Sequence, residues 1–242
     1  VLGITTFLLH LGAIIMGLSS DVPDNFLVGL RAINNRLAPE NPKFAEWALT
    51  MMQSESGIRP DVKNHAGQPF YGLIQLGAPS FAPLTPEQFL KLTHAQQLPY
   101  IEKFYKAARI DRFRSPGNLY QFNFVPASLS RGLGPDTIIA AKGGKGYNGN
   151  EDMFYNANPR LDRDGDGAIT VKDLDARMEA IAADPRVQEV ISRLPPADTQ
   201  LVGLFNQPTD TVAETQSMAS TGAVLLIAAG VGLAIHEWTK KS

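Results

Sequence analysis

The stretch Phe44-Ala45-Glu46-Trp47-Ala48-Leu49-Thr50-Met51-Met52-Gln53-Ser54-Glu55-Ser56-Gly57 decides how this chain is read. Phe44, Trp47, Ala48 and Met51 recur at steps of three and four, the spacing of one helix face. Four residues past Met51, on the same stripe, stands Glu55. Asn41 and Pro42 read as the helix N-cap and first-turn proline, and Gly57 and Pro60 as its stop. The pattern therefore predicts a glutamate on the buried face of a helix, at its last turn. Burial disfavours the anion, and the negative end of the helix dipole disfavours it again. Both raise the pKa, which a general acid needs in order to hold a proton near neutral pH.

Outward from this helix the chain reads as mainly α. Asp24 to Leu37 spaces Phe26, Leu27, Leu30 and Ile33 as an amphipathic helix. Thr85-Pro86-Glu87 opens another, with Phe89 and Leu90 inward. Residues 95–113 form a longer one, with Leu98, Ile101, Phe104, Tyr105 and Ala108 on one face and Lys103, Lys106, Arg109 and Arg112 on a solvated one. Leu119 to Leu129 is expected to be a buried helix bent at Pro126. No alternation long enough for a substantial sheet is present. Residues 132–150 read as a glycine-rich loop. Its GGKGYN run is not a phosphate loop, because Tyr147 stands where Ser or Thr belongs and the leading glycine spacing is wrong.

The 242 residues suffice for one sizeable domain with attachments. A formal charge of -2 gives no electrostatic case for nucleic acid as a partner. There is no cysteine, which excludes disulfides, thiolate metal sites and a cysteine nucleophile.

The run Glu55-Ser56-Gly57-Ile58-Arg59-Pro60, then Ala66-Gly67, then Gly72-Leu73-Ile74-Gln75, resembles the signature of soluble lytic transglycosylases. These share the lysozyme-like fold of goose-type lysozyme. Gly67 stands at the family's distance from the glutamate, while Gly72 comes two residues late, through Gln68, Pro69 and Phe70. The family's A-Y-N-A-G-P helix has a counterpart in Phe122-Asn123-Phe124-Val125-Pro126, with Phe122 replacing the tyrosine; Gly146-Tyr147-Asn148-Gly149 is a rival match. The resemblance spans roughly residues 25–150 and implies peptidoglycan as substrate. It implies Glu55 as the single catalytic acid and base and Ser56 as its orienting neighbour. Gly72, Gln75 and Asn123 would line the sugar cleft, and Tyr120 or Tyr147 would be a sugar-stacking or hydroxyl-donating ring. Asp61 is available as a second carboxylate for a hydrolytic route, and a solvated turn is the plainer reading of it.

Residues Asp162 to Asp173 fit the calcium loop of an EF-hand. Asp162, Asp164 and Asp166 take its first, third and fifth positions, Gly167 its sixth and Ala168 its seventh, which offers a carbonyl. Thr170 takes the ninth position and Asp173 the twelfth. Asp173 is shorter than the usual glutamate, and no long helix precedes the loop, so it resembles dockerin-type loops more than paired sensors. A structural Ca2+ is expected there, stapling Leu161 to a helix from Val171 to Ala182.

Both ends are apolar. Residues 1–18 lack the basic start and the small-residue cleavage site of a signal peptide. With Val1 first, an initiator methionine, or more, is expected to have been removed or to lie ahead of it. Met218 to Ile235 carries no charge; its 18 residues would reach about 27 Å as a helix, enough for a hydrocarbon core. Trp238, Lys240 and Lys241 flank it as at a membrane interface. A buried helix is the alternative, and the N-terminal run, with His10 inside it, stays open between the two. The expected division is an apolar segment 1–20, a lysozyme-like domain 21–150, a calcium-loop region 151–194, a linker 195–217, a transmembrane helix 218–236 and a basic tail 237–242. Together these imply an enzyme at the bacterial envelope or in a phage virion, with virion proteins as possible partners. The rival is a non-enzymatic structural or membrane-conduit protein on a degenerate lysozyme-like scaffold, favoured by Phe122 and the displaced Gly72.

Overall fold

The two helices nearest the start of the described chain obey the predicted spacing, and their joint shows how the site is held. The computed structural model describes residues 21–64 and 68–197. The apolar segment 1–20, Ala66, Gly67, the linker from 198 and the candidate membrane helix lie outside the described residues. Helix α1 spans Asp24–Leu37 and α2 spans Phe44–Ser56. A short antiparallel hairpin follows, β1 Phe70–Tyr71 with β2 Leu76–Gly77. Then come α3 Pro86–Phe89, α4 His94–Ala108 and α5 Pro116–Phe124. After these, β3 Ile138–Ala141, α6 Glu151–Ala157, β4 Ala168–Thr170, α7 Val171–Ala182 and α8 Pro185–Ser192 complete the described chain. Strand β3 pairs antiparallel with β4. The chain is mainly helical, as its periodicity predicts.

Helix α2 is more buried than one stripe would make it. Phe44, Ala45, Ala48, Leu49, Met51 and Met52 are all fully buried, while Trp47 is only half-buried. It packs against α5 and α7 and also against α1 and α8. A helix with neighbours on several sides needs apolar residues around most of its circumference.

Its start differs from the expected Asn41 cap. The helix begins at Phe44, and the Asn41 side chain accepts from Lys43 N at 3.2 Å rather than capping the first turn. The capping acceptor comes from α1 instead: buried Asn34 takes the Ala45 N–H on Oδ1 at 3.0 Å. Its Nδ2 donates to the carbonyls of Ala38 and Asn41 at 3.0 and 2.9 Å. One buried amide thus satisfies three backbone groups at the α1–α2 joint, which would otherwise be costly orphans.

Three other expectations are corrected in extent. The helix expected over 95–113 ends at Ala108, where Arg109 turns left-handed at φ 55°, and Ile110–Arg112 forms a separate 3-10 turn. The Leu119–Leu129 helix begins earlier, where Ser115 caps the chain ahead of Pro116, and ends at Phe124. Pro126 then starts a 3-10 turn rather than bending one helix, because proline cannot supply the N–H that would continue it. Residues 132–150 are not all loop, since β3 lies inside them. That strand is four residues of Ile and Ala, too short for alternation to reveal.

Helix α7 has the expected limits. Thr170 caps it and exchanges bonds with Asp173 in a capping box. It then docks closely on the start of α5. The Asp175 carboxylate accepts from Gly117 N at 2.6 Å. A Cβ at Gly117 would lie 2.5 Å from that carboxylate and 2.7 Å from the Val171 carbonyl. The core is continuous through Val22, Met51, Tyr105, Leu119, Ile169, Leu174 and Val190.

Candidate active site

Glu55 lies on the last turn of α2, where the sequence places it. The turn closes on Gly57 at φ 67°, followed by Ile58 at φ 57°. Gly57 N donates to Gln53 O and Ile58 N to Met52 O, so two otherwise orphaned carbonyls are satisfied. A β-branched residue in the left-handed region is strained. His94 Nε2 meets the Ile58 carbonyl at 2.8 Å and helps fix that peptide.

Part of the Glu55 residue stays at the surface, yet its carboxyl is packed round by protein. Desolvation is the dominant influence and pushes its pKa up from 4.5 to about 7. A hydrogen bond from Tyr120 and the charge of Arg177 oppose that rise. Beneath it, Tyr105 is fully buried, and its hydroxyl has no hydrogen-bond partner among the described residues. Burial first, and then the Glu55 charge, keep that phenol protonated far above its ordinary range. Tyr120 is pushed up to about 12, by burial first and Glu55 second. Both phenols near the carboxylate therefore keep their protons.

Ser56 is tied to the next motif. Its hydroxyl lies 3.1 Å from Met52 O and 2.9 Å from Leu73 O, and it accepts from Arg59 N at 3.2 Å. Residues Gly72 to Gln75 form the turn between β1 and β2. Gln75 is left-handed at φ 55°, and its amide donates to Val62 O and Gly72 O at 3.3 and 3.0 Å. Gln75 Oε1 is buried with no partner among the described residues. Buried Gln97 braces the same turn: its Oε1 accepts from Leu73 N at 3.0 Å, and its Nε2 donates to Pro60 O at 2.7 Å. Gly72 is itself buried, and a Cβ there would stand 2.4 Å from Gln97 Oε1 and 2.7 Å from the Phe89 ring. Its close approach is to the protein's own interior.

The two candidate tyrosines stand in different surroundings. Tyr120 reaches Glu55. Tyr147 hydrogen-bonds the Ile139 carbonyl at 2.7 Å, lies under Arg131 at 4.2 Å and packs on Phe154. It belongs with the Arg131–Glu151 ion pair, at 2.7 Å. The glycine-rich run around it wraps that pair: Gly146 N donates to Glu151 Oε2 at 2.8 Å. The anion this loop receives is the chain's own glutamate. Phe122 points into the core against Phe104 and Phe113. Asn123 is half-buried and follows Tyr120 by three residues, on the same side of α5. Asp61 is exposed, beside an equally exposed Arg59 at 3.3 Å, and is a solvated turn residue.

Three neighbours of Glu55 escaped sequence reasoning. Tyr105 was placed correctly on an inward face, and its polar tip amid apolar neighbours was the available signal. Ser54 and Arg177 carried none. Arg177 lies on α7, donates to Ser54 Oγ at 2.9 Å and stands 5.7 Å from the Tyr120 ring centroid.

The second motif is partly assembled. Carboxylate oxygens of Asp162, Asp164 and Asp166 lie within 4.8 Å of one another. Asp162 accepts from Gly165 N, Gly167 N and Tyr155 Oη at 2.7, 2.9 and 2.8 Å. Ala168 begins β4, and Thr170 serves as the α7 cap. Asp173 is buried, and both its oxygens are engaged, with Arg163 N at 3.0 Å and Thr170 N at 2.8 Å. It does not join the three-aspartate group.

No protein-family model, curated protein or solved structure matches the chain. Among the described residues, no helix is long and apolar enough to cross a membrane. What fold and site define together is a mainly helical protein with an enclosed carboxyl of raised pKa, carried by a partly exposed residue at the end of a core helix.

Proposed function

We propose that this chain cleaves the glycan strands of peptidoglycan between N-acetylmuramic acid and N-acetylglucosamine, as a lytic transglycosylase with Glu55 as its single acid and base. The observation that carries the reading is the Glu55 carboxyl, enclosed on a half-buried residue at a helix end, with its pKa pushed up to about 7 beside Tyr120. A carboxyl with a pKa of about 7 is protonated often enough to donate and ionised often enough to accept. In the first step it protonates the glycosidic oxygen as the bond from that oxygen to the muramic anomeric carbon breaks. The resulting carboxylate then takes the proton of the muramic 6-hydroxyl as its oxygen bonds to that carbon. The products are a 1,6-anhydromuramic end and a free 4-hydroxyl, and Glu55 ends the cycle protonated. No water is consumed and no second carboxylate is required. Tyr120 stands where a hydroxyl donor can steady the anion between the two steps.

The non-enzymatic reading stays the alternative: of the two features behind it, Phe122 packs in the core while Tyr120 stands near Glu55, and the displaced Gly72 packs against Gln97 and Phe89. The calcium loop enters as a structural staple, with Asp162, Asp164 and Asp166 as carboxylate ligands and the Ala168 carbonyl available to join them. Attachment to the envelope through the apolar ends, and action within a virion, belong to the same proposal and rest on the sequence alone.

Purified protein incubated with peptidoglycan sacculi is expected to release 1,6-anhydromuropeptides, detected by mass spectrometry. Activity should fall as pH rises through about 7, where the donor loses its proton. Glu55→Gln should abolish it. Reducing-end products would reassign the chemistry to hydrolysis, and unchanged activity in the variant would remove Glu55 from the mechanism.

A further inference from the structure

Among the described residues, Glu55 is reached from several helices, and only one of them brings a charge to it. Its own helix α2 supplies Ser54, α4 supplies Tyr105, and α5 supplies Tyr120. Helix α7 supplies Arg177, whose guanidinium donates to Ser54 Oγ and stands 5.7 Å from the Tyr120 ring centroid. Helices α1 and α8 also pack on α2, and none of their charged groups acts on the Glu55 carboxyl. Arg177 Nε is buried and has no hydrogen-bond partner among the described residues. The half-buried side chain is thus held at one end of its guanidinium by Ser54, with a buried N–H left over beside the packing around the carboxyl.

We infer that Arg177 is a positioning residue for the Glu55 proton: it fixes Ser54 and the Tyr120 ring beside the carboxyl and, among the described residues, supplies the one positive charge that favours the anion when it forms. The inference deepens the transglycosylase reading and rests on it for its catalytic meaning, though its physical content does not. Burial alone would hold the Glu55 proton more tightly and make the carboxyl a weaker donor in the first step. The guanidinium eases release of that proton by favouring the anion. Placement of that charge depends on α7, which is fixed at one end by the Thr170–Asp173 capping box and beside α5 by the Asp175–Gly117 contact.

The test is direct titration of the Glu55 carboxyl carbon by NMR in the full chain, which needs no substrate. In Arg177→Met the midpoint should rise by about one pH unit, the lower end of what a nearby opposite charge contributes. Arg177→Lys keeps a charge but loses the planar fork, and should recover part of that shift. A midpoint unchanged in Arg177→Met, or equally displaced in both variants, overturns the inference. If Arg177→Met does not fold, Arg177→Lys and Ser54→Ala carry the comparison: a midpoint unmoved in both overturns it equally. Sacculus digestion, run in parallel, separates the two claims. A shifted titration in a protein that releases no muropeptides defeats the proposed function and leaves the role of Arg177 standing. An unshifted titration in an active enzyme does the reverse.

Discussion

Replacing Glu55 by glutamine should stabilise the fold, and only above a definite pH. In the unfolded chain the carboxyl ionises near 4.5, in the folded chain near 7. A group whose folded pKa is raised binds its proton more tightly when native, so stability declines as pH rises from about 4.5 to about 7, then levels off. At about 1.36 kcal/mol per pH unit, the interval between those values corresponds to roughly 3 kcal/mol carried as a penalty at pH 8. The residue keeps some contact with solvent, so about 2 kcal/mol is the safer expectation. Glutamine keeps the shape and removes the charge. Urea denaturation of wild type and Glu55→Gln should give nearly equal stabilities at pH 4.5. At pH 8 the variant should be ahead by about 2–3 kcal/mol, or roughly 5–10 °C in Tm for a domain of this size. The comparison subtracts every other titrating group, because both proteins share them. A variant advantage that is the same at both pH values, or absent at both, would refute the claim that a desolvated carboxyl sits at the end of α2.

Two further outcomes test the surroundings. Gly72→Ala should cost about 3 kcal/mol by denaturant unfolding, since the added methyl meets Gln97 Oε1 at 2.4 Å on a backbone at φ 74°; a loss below about 1 kcal/mol would mean the 72–75 turn is free to yield. Millimolar calcium should raise Tm by about 5–10 °C if it saturates the aspartate loop a hundredfold above its Kd, and Asp164→Ala should remove the effect. No change at 10 mM calcium (~10 mM, a generous excess for such loops) would leave those aspartates as ordinary surface charges.

Periodicity revealed the helices because their inward residues are spaced as the helix turns, and α1 and α7 were legible almost to the residue. Glu55 was legible for the same reason, as a charge on an apolar stripe. What failed were endings and partners. The α2 start was hidden because its capping acceptor, Asn34, lies on another helix. The strand β3 was hidden because four residues paired across thirty carry no local alternation. Phe122 reads in sequence as the counterpart of a family tyrosine; in the structure it points into the core, and Tyr120 stands near Glu55. Arg177 was invisible, since a cation between Asp175 and Glu179 on a helix reads as surface until the helix is docked.

The contact between Arg177 and Ser54 joins residues 123 positions apart. A ribosome adding about 5–20 residues per second needs roughly 6–25 s to cover that interval. Throughout it, the emerging glutamate has no cation beside it and α2 lacks the faces of α7 and α8 that enclose it. A chain stopped short of α7 would therefore leave that helix end hydrated and its acid commonplace, so the raised pKa of Glu55 waits on helices made long after it.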